Sequence, residues 1–82
     1  MRYARHPAVL WRSTSLGPVV LIPGKDDPDQ LGGLAAVVWE VLDDALTTAE
    51  VTAAVGAIVG EAPDLSGALA DMEAARLVTS SP

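Results

Sequence analysis

Leu34-Ala35-Ala36-Val37-Val38-Trp39-Glu40-Val41-Leu42 is the stretch where the hydrophobic period of this chain changes. Leu34, Val37, Val38, Val41 and Leu42 fall at helical spacing, and Ala35 and Trp39 widen the stripe. Upstream the apolar residues come instead in short β-prone runs, Ala8-Val9-Leu10-Trp11-Arg12 and Val19-Val20-Leu21-Ile22. The turn residues Ser13-Thr14-Ser15-Leu16-Gly17-Pro18 lie between them, so the two runs predict a β-hairpin. Pro23-Gly24 ends the second strand, and Lys25 to Asp29 reads as a charged loop. Gln30-Leu31-Gly32 adds a third short strand, which Pro28 and the glycines confine to a sheet edge.

Downstream, the first helix ends near Asp43-Asp44. Thr47 followed by Glu50 matches a capping box, in which hydroxyl and carboxylate satisfy free amides at a helix start. Val51, Ala54, Val55, Ile58 and Val59 form the stripe of this second helix, and Gly60 stops it. Pro63-Asp64 opens a third helix, with Leu65, Ala68, Leu69, Met72 and Ala75 on one face. Arg76 falls in its last turn, where a cation suits the helix dipole. Leu77-Val78 closes the core and Thr79-Ser80-Ser81-Pro82 reads as a tail. Strands followed by helices predict an α+β fold, with an N-terminal three-stranded antiparallel sheet and then three helices. Residues 1–82 make one domain, without repeats or an internal linker.

Composition narrows the function. With 82 residues, half of them hydrophobic, the chain can build one small core. It has no cysteine, which removes disulfides, thiolate metal sites and a cysteine nucleophile, and its single histidine removes a multi-histidine zinc site. No apolar run approaches the roughly 20 residues that span a bilayer. The segment Met1 to Pro7 has no apolar stretch behind its charges, so it is not a secretory signal. The expectation is a cytoplasmic protein that engages no membrane. Net charge is −6: all eleven acidic residues follow Lys25, whereas Arg2, Arg5, Arg12 and Lys25 fall at or before it. A phosphate backbone is repelled by most of such a surface. The split has two readings: basic strands attracting acidic helices within the chain, or an acidic face attracting a basic peptide or enzyme.

No catalytic constellation stands out. His6 sits beside Pro7 in the N-terminal segment, away from any partner motif, and reads as a surface or strand-end residue. Asp26, Asp27 and Asp29 lack the central Gly and downstream Glu of a calcium loop, and Asp43-Asp44 is a helix-end pair. Gly32-Gly33 belongs to no phosphate-binding motif and serves to turn an edge strand into a helix. Asp64-Leu65-Ser66 has the wrong order for the attachment serine of an acyl carrier, and capping by Asp64 explains it. Trp11 and Trp39 are the large rings available to the core. The residues therefore call for no catalytic group, metal or cofactor.

Four segments together resemble the PqqD-like peptide chaperones, the recognition elements of ribosomal peptide natural-product pathways. They are His6-Pro7-Ala8-Val9-Leu10, the run Leu31 to Leu42, Leu46-Thr47-Thr48-Ala49-Glu50-Val51, and Met72 to Val78. The likeness spans nearly the whole chain as a pattern, without an invariant motif. It implies a winged helix-turn-helix-like fold that no longer binds DNA. It also implies that the leader of a precursor peptide adds as a strand beside the third strand and lies against the third helix. Backbone bonds would give affinity and side-chain pockets sequence choice. In this sequence the parts are the edge Asp29, Gln30 and Leu31, and an apolar wall of Leu65, Leu69 and Met72, with Glu73 and Arg76 on the same helix. Those three apolar residues equally suit core packing, and Met suits an adaptable groove.

The resemblance implies a non-catalytic protein that presents a leader peptide to a processing enzyme. At this length it is most similar to the stand-alone recognition component of lasso-peptide pathways, whose partner is a leader peptidase. A radical-SAM peptide-modifying enzyme is an alternative partner. A winged-helix DNA-binding regulator would share the fold but needs a basic recognition helix, and the third helix carries Asp71 and Glu73 against Arg76. A small carrier or enzyme subunit is the remaining class.

Overall fold

The computed structural model describes residues 1–61 and 63–82. The hairpin anticipated from the sequence consists of β2 (Leu10–Thr14) and β3 (Gly17–Leu21), with Leu10 opposite Leu21 and Thr14 opposite Gly17. It is tighter than the turn cluster suggests, because Ser13, Thr14, Gly17 and Pro18 belong to the strands. Pro18 is tolerated there for a physical reason. Its carbonyl accepts from the Leu31 amide at 2.9 Å, so the backbone of Pro18 faces away from β2, and its missing N–H costs that ladder nothing. The Thr14 hydroxyl donates to the Gly17 carbonyl at 2.6 Å and accepts from the Leu16 amide, which fastens the turn. Gly17 has φ of 114°, and a Cβ there would stand 3.1 Å from the Leu31 carbonyl oxygen, so both conformation and space demand glycine.

Next comes β4 (Asp29–Gln30), antiparallel to β3 and outermost in a sheet ordered β2-β3-β4. Three helices follow: α1 (Gly33–Val41), α2 (Thr48–Val59) and α3 (Ser66–Ala74). The architecture is therefore α+β, with an antiparallel three-stranded sheet ahead of three helices.

A second antiparallel sheet is the correction to the sequence reading. It joins β1 (Arg2–Arg5), β5 (Leu46–Thr47) and β6 (Val78–Ser81) in the order β5-β1-β6. The C-terminal residues read as a tail are thus a strand, with Ser81 opposite Arg2 and Val78 opposite Arg5. His6 is built into the turn from β1 towards β2. Its amide donates to the Leu77 carbonyl, its carbonyl accepts from Val9, and its Nδ1 accepts from the Ala8 amide.

The capping box forms as expected, with the Glu50 amide donating to Thr47 Oγ1 and the Thr47 amide to Glu50 Oε1. Arg76 is not in the last helical turn. It lies beyond α3 in the left-handed region at φ 64°, while the Leu77 amide reaches back to the Met72 carbonyl at 2.9 Å. That is the backbone of a Schellman-type stop, a place where glycine is the usual occupant.

One core holds the layers together. Val20, Leu31, Val38, Trp39, Leu42, Val51, Val55, Leu65, Leu69, Met72 and Val78 are all buried in one cluster. On α1 the buried line runs through Val38, Trp39 and Leu42, so Leu34, placed in the stripe by its spacing, is 39% exposed instead. The last apolar residues of α2, Ile58 and Val59, are exposed as well. No helix among the described residues is long and apolar enough to cross a membrane.

Candidate peptide-binding edge

The edge of β4 is built by three local features. Pro28 precedes it, its ladder to β3 pairs Gln30 with Val19 and Asp29 with Val20, and Gly32 caps α1 directly afterwards. The Lys25 ammonium pairs with the Asp29 carboxylate at 2.7 Å and fixes the loop entering the strand. Antiparallel ladders alternate, each residue directing both its peptide groups to one side. Because the Leu31 amide points to β3, the N–H and C=O of Gln30 point the other way, to the free side of the sheet. Gly32 N–H and Pro28 C=O share that direction, while the Gly32 carbonyl already accepts from Ala36 at 3.4 Å. The open edge therefore offers Gln30 as a full donor–acceptor pair, with one further donor and one further acceptor beside it.

The remaining residues expected at the site are distributed differently. Leu31 turns its side chain into the core, at 8% exposure. Leu65, Leu69 and Met72 are 2%, 1% and 3% exposed, so they form the floor of the domain and present no open wall. The reason is size: a small domain with one apolar stripe per helix spends that stripe on its own core. The solvent face of α3 carries Gly67, Ala70, Asp71 and Ala74. Glu73 and Arg76 lie at the α3–β6 corner, where the Ser80 hydroxyl donates to the Glu73 carboxylate. Of the expected residues, the structure thus leaves Asp29 and Gln30 as the ones combining an edge position with accessibility.

Part of the charge split is met inside the molecule. Arg2 pairs with Glu50 at 3.7 Å, Lys25 with Asp29, and Arg5 donates to the Trp39 and Glu40 carbonyls at the end of α1. The Thr47 amide, the Thr47 hydroxyl and, more weakly, Arg2 hold the Glu50 carboxyl below its ordinary range, and the Ser66 hydroxyl and amide do the same for Asp64. Both are helix-start carboxylates, with no neighbour suggesting proton transfer. Among the described residues, no three His, Cys, Asp or Glu side chains gather as a metal site.

Sequence reasoning missed two surface features. One is a cleft of about 280 Å³ on the outer face of the hairpin, bounded by Leu10, Arg12, Val19, Leu21 and Pro28. The signal was present: Pro18 to Ile22 is apolar on both faces, whereas a strand with one solvated face alternates. The other is an apolar cleft reaching the end of α2, signalled by a helical stripe that runs on to Ile58 and Val59 after the core is filled. No family model matches the chain, and no curated protein or solved structure matches it.

Proposed function

We propose that this protein is a non-catalytic peptide-recognition module of the PqqD-like kind. It binds the leader of a ribosomally made precursor as an added strand beside β4 and presents it to a processing enzyme, a leader peptidase of lasso-peptide biosynthesis being favoured. The observation that carries this reading is the outward-facing peptide unit of Gln30 on an outermost strand. Such an edge supplies directional backbone bonds to an extended chain whatever its side chains. About four hydrogen bonds at roughly 1 kcal/mol each reach only half of the about 8 kcal/mol that micromolar binding requires. Side-chain burial against the domain surface supplies the rest. The acidic residues Asp71 and Glu73 on α3 weigh against DNA as the ligand.

The test is amide hydrogen exchange on the whole protein, with and without synthetic leader segments of precursor peptides encoded near its gene. The expected result is new protection at Gln30 and Gly32. Protection centred instead on Ala49 to Val59 would place the ligand elsewhere, and binding without any change at the β4 edge would remove strand addition.

A further inference from the structure

A cleft of about 200 Å³ opens between the start of β3, α1 and the end of α2, lined by Gly17, Pro18, Ala36, Val37, Glu40 and Ile58. Its lining is almost wholly apolar, and Glu40 is the one ionisable residue in it. Ile58 in its lining is exposed, and Leu16, Leu34 and Val59, each close in sequence to a lining residue, are exposed large hydrophobics as well. Leu16 is 80% exposed and Ile58 61%. Isolated surface hydrophobics are ordinary, but a group of them around a concavity marks a contact site. The core does not account for them, since α2 buries Val51 and Val55 and α1 buries Val38 and Trp39.

Charge selects the occupant. Glu40 is the one ionised group among the described lining residues, on a chain of net −6. The nearby cation Arg5 binds the Glu40 carbonyl and is held between indole rings. An acidic or phosphate-bearing occupant meets repulsion here, and a second copy of the chain brings the same carboxylate and the same net charge. We propose that this cleft docks an apolar side chain flanked by Lys or Arg on a partner peptide or protein segment, the apolar group entering between Val37 and Ile58 and the cation pairing with Glu40. The site is separate from the β4 edge and does not depend on strand addition there.

The experiment titrates isotope-labelled full-length protein with Ac-Gly-Lys-Leu-Lys-Gly-NH2 and with its counterpart carrying Glu in place of Lys, followed by amide chemical shifts. The expected result is a saturable cluster of shifts at Gly17, Val37, Glu40 and Ile58 for the Lys peptide, with roughly tenfold weaker binding of the Glu peptide. Ile58→Asp decides between docking and general attraction. It changes an exposed position and adds negative charge, so attraction alone would strengthen binding, whereas a filled cleft predicts a roughly fivefold loss. Glu40→Gln should weaken the Lys peptide and flatten its salt dependence. Shifts scattered over the acidic surface, equal binding of both peptides, or undiminished binding to Ile58→Asp would overturn the proposal. So would sedimentation showing a dimer that Ile58→Asp dissociates, which would give the face to a second copy.

Discussion

Arg5 donates its Nε–H to the carbonyl of Trp39 over 2.8 Å while its guanidinium lies 5.2 Å from the centroid of the Trp39 ring. The same guanidinium stacks 4.4 Å from the ring of Trp11, which meets Trp39 edge-on at 5.8 Å. One side chain thus joins β1, the hairpin and the C-terminal end of α1, where a cation also suits the helix dipole. Arg5→Ala should lower stability by about 1–2 kcal/mol, combining a charge-assisted hydrogen bond with a half-exposed cation–π contact. Arg5→Lys should recover only part of this, because an ammonium lacks the planar fork that stacks and donates together. Urea denaturation of the three proteins checks the order; equal midpoints for parent and Arg5→Ala would remove the linkage.

Trp39 is fully buried, yet its indole Nε1 has no hydrogen-bond partner among the described residues. An unpaired buried donor costs about 1–3 kcal/mol, which the packing of the ring outweighs. Trp39→Phe gives up ring volume but also removes the unpaired donor. It should cost much less than Trp39→Ala, for which about 3–5 kcal/mol is expected. The alanine variant would then lose most of the stability of a domain this size. Thermal melts by circular dichroism distinguish them. Equal losses in both variants would mean that the nitrogen finds a partner in solution.

Arg76 holds the left-handed position that ends α3, with φ of 64°. A side chain with a Cβ is strained there and glycine is not. Arg76→Gly should raise stability by about 0.5–1 kcal/mol, less than the relief of strain because glycine also loosens the unfolded chain. A lower melting temperature would show that the arginine side chain contributes contacts worth more than the strain.

The legible part of this fold was the part written in local periodicity. The hairpin and the three helices follow from apolar spacing, the edge position of β4 from Pro28 and the glycines, and the Thr47–Glu50 box marks the start of α2 to the residue. The second sheet was hidden because its strands carry little pattern. Val78-Thr79-Ser80-Ser81 is mostly polar, Leu46-Thr47 is very short, and both depend on β1 at the other end of the chain. Pairing across that separation is a property of the folded chain, which no window of sequence contains. At the candidate site Gln30 was legible from Pro28 and the glycines around it. The apolar face of Leu65, Leu69 and Met72 was legible too, but not its direction, because the same spacing serves a core or a groove.

Glu50 supplies a pH signature. Its hydrogen bonds from Thr47 and the nearby Arg2 lower its folded-state pKa below the ordinary 4.5. A depressed carboxyl stabilises the fold above its unfolded pKa, and that contribution is lost as the pH falls below about 4.5 and through the folded value. Stability should therefore decline on acidification in this window. Glu50→Gln should be less stable than the parent at neutral pH, and the two should converge in acid. Curves that stay parallel from neutral pH to pH 3 would show that the capping carboxylate carries no net linkage.

Proline substitution separates the two sides of β4. The amide of Leu31 is bonded to Pro18, so Leu31→Pro should break the ladder and cost the fold, besides disturbing a buried side chain. The amide of Gln30 faces away from β3, where proline is tolerated on an edge strand. Gln30→Pro should therefore melt within a few degrees of the parent, while Gln30→Ala leaves the backbone donor intact. If a leader segment adds as a strand, Gln30→Ala should bind it nearly as the parent does, whereas Gln30→Pro should lose roughly tenfold or more through the missing bond and the altered edge. Met72→Asp, by contrast, places a charge at a position only 3% exposed and should unfold the domain whether or not peptide binds. Fluorescence anisotropy with a labelled leader segment, preceded by circular dichroism, reads the series. Equal affinity for the parent and a folded Gln30→Pro protein would exclude Gln30 as the pairing position and, with it, strand addition at β4.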